Sequence, residues 1–187
     1  MNPLITSPPQ DHLSPDEGKK HFSITDPVNP STPIAQLLIG VVVRKRSIHH
    51  NVWATYSWEV VSVIEGAPEL PPWSVIENEQ DAEIYYAGHT PLRLYPYETD
   101  TLKDNLESSN PSVYVFLRED QEGEFPALIG ATVCTGEAQA HAGIEGDRVE
   151  AVAMSPLISA WVHRFVSRYH VEQPVYKRQR TQNRHNR

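Results

Sequence analysis

One cysteine, Cys134, occurs in 187 residues. That excludes an internal disulfide framework and any cysteine-rich zinc site. No apolar run approaches the ~18–20 residues that a bilayer-spanning helix needs, so no transmembrane segment is expected. The start of the chain, Met1 to Pro9, has neither a basic n-region nor an apolar h-region. No signal peptide is therefore expected, and the default placement is cytoplasmic. Phosphate-binding fingerprints are missing as well. Gly130 and Gly136 bracket a strand-to-helix turn without the dinucleotide glycine pattern or the Lys-Ser/Thr pair of a P-loop. The nine histidines include no His-x-x-x-His pair on an expected helix with an acidic third ligand, and His49 and His50 would point to opposite faces of a strand. Neither a metal nor a cofactor is expected, and no side chain stands out as catalytic. Cys134 itself reads as a small buried hydrophobe, the usual fate of a free cysteine.

What the chain does have is proline and unevenly placed charge. Seven of the sixteen prolines (Pro3, Pro8, Pro9, Pro15, Pro27, Pro30 and Pro33) lie at the amino end. Proline removes a backbone donor and restricts the residue before it, so residues 1–33 read as a disordered segment. The net charge is −8, but the last eleven residues carry Lys177, Arg178, Arg180, Arg184 and Arg187 with no acid. Without those five cations, residues 1–176 hold −13. Between Glu65 and Glu107 ten carboxylates face two cations, Arg93 and Lys103. So acidic a body repels nucleic acid over most of its surface, since phosphate binding needs a basic face rather than a basic end. The tail from 177 to 187 reads as basic and mobile.

Between these ends the periodicity changes along the chain. Leu37–Val43 is short, apolar and β-branched, as a buried strand requires, and leaves the core at Arg44-Lys45-Arg46. Tyr56–Ile64 has the same character and closes at Gly66-Ala67-Pro68. Two strands are expected at Ala82–Tyr86 and Leu92–Tyr95, with residues 87–90 as the turn between them. Thr99 is a candidate cap for a helix carrying Leu102 and Leu106 four apart. Val113–Leu117 and Ala127–Cys134 are expected strands, and a short helix is expected from Thr135 through Ala140. A last strand is expected at Arg148–Met154. Ser155 and Pro156 then start the clearest helix, with Leu157, Trp161, Phe165 and Tyr169 recurring every four residues. The sum is an α+β domain over residues 34–176: a mainly antiparallel sheet of about six to eight strands with three helices, the longest at 156–170. Trp58 and Trp161 are expected in the core, while Trp53 and Trp73, the latter at a strand start after Pro71-Pro72, are candidates for either core or surface.

Several separated motifs together resemble a bacterial family known as domain of unknown function 3305. They are Gly40–Arg46, Trp53 and Trp58, Tyr86-Ala87-Gly88, Tyr97–Asp100, Asn105–Glu107, Pro111–Val115, Leu117-Arg118, Trp161–Val166, His170–Glu172 and Lys177-Arg178. The resemblance covers about residues 36–180, outside the proline-rich segment. It implies an accessory role, since genes of such proteins commonly neighbour those for molybdenum-dependent formate dehydrogenase, its chaperone and iron–sulfur proteins. The expected function is thus a non-catalytic adaptor that binds a formate dehydrogenase subunit or maturation factor. Trp53 and Trp73 would anchor the contact, and Lys177, Arg178 and Arg180 would steer it toward an acidic partner. The alternative is an enzyme or small-ligand carrier in which Glu98, Asn105 and Arg118 line a polar pocket.

Overall fold

The computed structural model describes residues 34–48, 56–119 and 124–172. The segments read as disordered or tail-like, 1–33 and 177–187, lie outside the described residues, as do Trp53 and residues 173–176. Seven strands and three helices follow in the order β1 (Ala35–Ser47), β2 (Tyr56–Glu65), β3 (Ser74–Asn78), β4 (Ala82–Leu94), α1 (Thr99–Glu107), β5 (Ser112–Arg118), β6 (Ala127–Thr132), α2 (Thr135–Ala142), β7 (Asp147–Ala153) and α3 (Pro156–Tyr169). A 3-10 turn, Pro96–Glu98, leads into α1.

The α+β class holds, but the strands divide into two antiparallel sheets rather than one. The larger has the order β2-β1-β4-β3, the smaller β6-β5-β7. β2 lies against β7 and β4 against β6. Alternation decides which side chains meet between the sheets. Ile39, Val41 and Val43 of β1 and Val113, Val115 and Leu117 of β5 join one core, while Tyr114 and Phe116 of β5 face α2. The Phe116 ring stacks on His141 of that helix with centroids 3.8 Å apart.

α1 and α3 pack on each other and close the same core with Leu102, Ile158, Val162, Phe165 and Val166. Full burial of such side chains contributes about 1.5–3 kcal/mol each. That is ample to hold a 14-residue helix that would be marginal alone in water. Ser155 caps α3 as expected, its Oγ accepting from the Ile158 N–H at 3.3 Å. The buried stripe differs from the four-residue row, however, because 3.6 residues per turn rotates each fourth position by about 40°. Leu157, at one end of that row, is therefore 56% exposed. Trp58 and Trp161 are partly buried and pack against the core.

Three local expectations are corrected. β4 is one continuous strand through residues 87–90, because β1 is long enough to pair with all of it, from Ala35 opposite Leu94 to Arg46 opposite Ala82. Gly88, at φ 126°, absorbs the register shift at Val41/Val42 that a turn was expected to explain. Thr99 is the first helical residue, with its hydroxyl donated to the Pro96 carbonyl, and Glu98 holds the cap position. Lys45 does not leave the core: two places after Val43 on the same strand face, it is only 8% exposed.

Candidate functional site

Asn105 shows how the expected polar pocket comes apart. Its side chain is buried under α1, where Nδ2 donates to the carbonyls of Ser112 and Val133, both at 2.8 Å. Oδ1 accepts from the Ser112 N–H at 3.0 Å. The amide thus pins α1 to β5 and to the segment after β6, with no donor left for a ligand. Arg118 lies at the far end of β5 from Ser112, about 20 Å away at strand rise. There its Nε donates to Asp147 Oδ1 at 2.6 Å, and His141 Nδ1 sits 3.0 Å from Oδ2. The hydrogen bond from Arg118, then that from His141, hold the Asp147 carboxyl below the ordinary carboxylate range.

Glu98 sits elsewhere again, at the amino end of α2 beside Cys134, Tyr97 and Glu137. Burial first, then the Glu137 carboxylate, push its carboxyl above the ordinary range; hydrogen bonds from Cys134 and Tyr97 pull the other way. Cys134 Sγ lies 3.2 Å from the Thr101 hydroxyl. The Thr101 hydroxyl also donates to the Glu98 carbonyl at 2.9 Å. Cys134 is buried, in line with its reading as a small hydrophobe.

The aromatic residues do converge. Trp58 of β2, Tyr85 of β4, Trp73 before β3 and Phe125 before β6 make a four-ring box in which every ring touches the other three. Trp73 stacks on Phe125 at 5.0 Å and 16°, and meets Trp58 edge-on at 5.6 Å. Lys45 reaches the box with its ammonium 4.3 Å from the Tyr56 ring centre, 5.3 Å from Trp58 and 5.7 Å from Phe125. Glu124 Oε1, at 3.6 Å, supplies the counter-charge. Cation–π contact with several rings replaces the water that burial removes from this ammonium. The Tyr85 hydroxyl donates to Glu83 at 2.9 Å, and burial pushes its pKa up to about 12.

Trp73 is held in this box at a cost. At φ 63° it is the one non-glycine residue with a positive φ among those described. A left-handed conformation costs a side-chain-bearing residue about 1–2 kcal/mol, so its surroundings must fix it. The Trp73 N–H donates to the Tyr86 carbonyl at 2.6 Å, and Ser74 Oγ donates to the Pro71 carbonyl at 2.7 Å. Beside it, Leu70, Val75 and Ile76 are each about half exposed, at 46%, 49% and 50%.

A family model described as "Protein of unknown function (DUF3305)" matches residues 38–180. The chain belongs to the DUF3305 family. Neither a curated protein nor a solved structure matches it. The DUF3305 span contains the whole box, from Lys45 to Phe125, together with α3.

Several concavities lie elsewhere among the described residues of this DUF3305 chain, one of them of about 390 Å3 between α2 and the outer face of β5 and β7. An open trough of about 810 Å3 runs along the outer face of α3, and a second of about 460 Å3 lies between α1 and α3, lined by Lys103, Glu107, His163, His170 and Glu172 among others. Glu98, Asn105 and Arg118 line none of these. Of the residues expected at a partner contact, Trp73 is placed, half-buried beside an exposed apolar patch. Trp53, Lys177, Arg178 and Arg180 lie outside the described residues. Lys45, Tyr85 and Phe125 were not anticipated, although the two-residue step from Val43 to Lys45 carried the signal for the first.

Proposed function

We propose that this chain is a non-catalytic accessory protein that docks on a component of a molybdenum-dependent formate dehydrogenase, or on one of its maturation factors. The observation that carries the docking reading is the strained Trp73 with Leu70, Val75 and Ile76 exposed beside it. Strain in a bulky residue persists where its surroundings over-determine it, and such places cluster at functional sites. Contiguous exposed apolar side chains beside a rigid aromatic support are what a protein contact uses. The formate dehydrogenase link rests on the gene company that the family resemblance implies. The alternative, a small-ligand protein with a pocket around Glu98, Asn105 and Arg118, has less support, because Asn105 and Arg118 are spent in separate structural contacts and the three share no cavity among the described residues.

The test is affinity capture of the tagged chain from its native host, grown to express formate dehydrogenase, with a Val75→Glu/Ile76→Glu double variant alongside. Recovery of a formate dehydrogenase subunit or chaperone by the parent chain and its loss with the variant would support the reading. The same recovery by both would remove the Trp73 surface from it. Recovery of no such protein, with a small molecule retained through purification, would favour the alternative.

A further inference from the structure

α3 contains two arginines, one histidine and no acidic residue, in a chain of net charge −8. Its inner face is committed to the core through Ile158, Val162, Phe165 and Val166. The outer face forms the open trough of about 810 Å3, lined by Ser159, Ala160, His163, Arg164, Ser167 and Arg168, with Pro156 at its start. Among the described residues no carboxylate lines it. Among the described residues neither Arg164 nor Arg168 makes an ion pair; the Arg168 guanidinium lies 5.4 Å from the Tyr169 ring. The nearby acids lie toward α1: Glu172 Oε1 is 3.6 Å from the Lys103 ammonium, and Asp100 Oδ1 is 3.3 Å from His170 Nδ1.

We infer that the outer face of α3 is a docking site for an acidic amphipathic helix of a partner protein. Three features of the trough select that occupant. Its length, thirteen residues from Pro156 to Arg168, is about 18 Å, or some three helical turns. Its floor of Ser159, Ala160 and Ser167 is low enough for a second helix to approach at the usual axis separation of about 8–10 Å. The chemistry along it is graded: Leu157, 56% exposed, flanks its amino end without lining it, and Arg164 and Arg168 line the other end. Leu157, Ala160, Arg164 and Arg168 follow steps of three and four, so they share one side of the helix. An antiparallel partner helix would set an apolar residue against Leu157 and its first-turn carboxylates against the two arginines. Acids are favoured at a helix amino end, so this orientation also suits the partner's own dipole. A nucleic acid or an anionic membrane fits the molecule less well, because the acidic remainder of the chain would repel either. The inference is independent of the Trp73 surface, which lies beside β3.

The probe is a synthetic helical peptide of about 18 residues, made of leucine, alanine and glutamate with leucines four apart. It is titrated against the full chain at low and moderate salt. Binding should weaken with salt, and about three- to tenfold in an Arg164→Ala/Arg168→Ala variant, the range that two exposed ion pairs supply. Leu157→Ala should weaken it as well, while Val75→Glu/Ile76→Glu should leave it unchanged. Equal binding by the arginine variant, or by a peptide with lysine in place of glutamate, would overturn the assignment. So would stronger binding of duplex DNA or phosphatidylserine vesicles at the same salt. All the substituted side chains are exposed, and a circular dichroism melt confirms that each variant folds.

Discussion

The Tyr86 ring lies across Gly40 on the neighbouring strand. A Cβ built on Gly40 would fall 2.9 Å from Tyr86 Cε2, 2.9 Å from Ile64 Cγ1 and 3.2 Å from Ile64 Cδ1. Tyr86 is fully buried, so its ring has nowhere to retreat. Glycine is needed here for space, at the middle of the central strand of the larger sheet. Gly40→Ala should therefore destabilise the fold by about 1–3 kcal/mol, the usual cost of overpacking a closed core. Urea unfolding of the two proteins measures it, and an unchanged midpoint would show that the ring moves aside freely.

Trp73 offers a test in which the smaller residue is the better one. Both Trp73→Ala and Trp73→Gly lose the stack on Phe125, so both should unfold more easily than the parent chain. Glycine alone accepts φ 63° without steric cost. Trp73→Gly should thus be more stable than Trp73→Ala by about 1 kcal/mol. The opposite order in denaturant melts would mean that the left-handed backbone is not what the parent residue maintains.

Asn105 should behave as a structural tether. Asn105→Ala leaves two carbonyls and the Ser112 N–H without their side-chain partner in a buried place, at a cost of about 1–3 kcal/mol for each group that water cannot reach. Asn105→Asp should not rescue stability at neutral pH, because a carboxylate cannot donate to the two carbonyls. A thermal melt of each checks this, and a native-like melt for the aspartate variant would show that the donors are dispensable.

Glu98 gives a pH dependence whose sign differs from that of an ordinary surface carboxylate. Its pKa is raised in the folded state above the ordinary glutamate value, so folding favours the protonated form. Stability from this group is complete below about pH 4.5 and falls as pH rises through the folded-state value. Glu98→Gln removes the charge that burial and Glu137 disfavour. The variant should therefore melt higher than the parent chain near pH 7 and converge with it near pH 4. A variant that melts lower at both pH values would show that the carboxylate earns its place through the Cys134 and Tyr97 hydrogen bonds.

The strands with apolar, β-branched runs were legible from that composition; β2 and β5 stand within a residue of where it put them, and β1 contains the expected Leu37–Val43 but continues to Ser47. β4 was read as two strands because Gly88 looks like a turn glycine, and only the unbroken length of β1 opposite shows that it is a bulge instead. Of β3 only the start was read, at Trp73 after Pro71-Pro72, because its following residues are mixed, with Val75 and Ile76 beside Glu77. Lys45 was read as solvent-exposed from its charge, although its place two residues beyond Val43 assigned it to the inner face. Asn105 was named through the motif Asn105–Glu107 and the alternative pocket, yet nothing local could reveal that its partners, Ser112 and Val133, close a tether rather than a pocket. Trp73 was noticed for its neighbours, and its box required the fold, since Trp58, Tyr85 and Phe125 come from three separate stretches of chain.

The four-ring box also has an optical consequence. Two of the chain's four tryptophans, Trp58 and Trp73, lie 5.6 Å apart and share contacts with Phe125 and Tyr85. Indoles this close couple their electronic transitions, and their emission responds to any change in the packing or wetness around them. The protein thereby carries an unlabelled fluorophore pair beside the apolar patch of Leu70, Val75 and Ile76, and a molecule that settles there would announce itself in the near-ultraviolet spectrum.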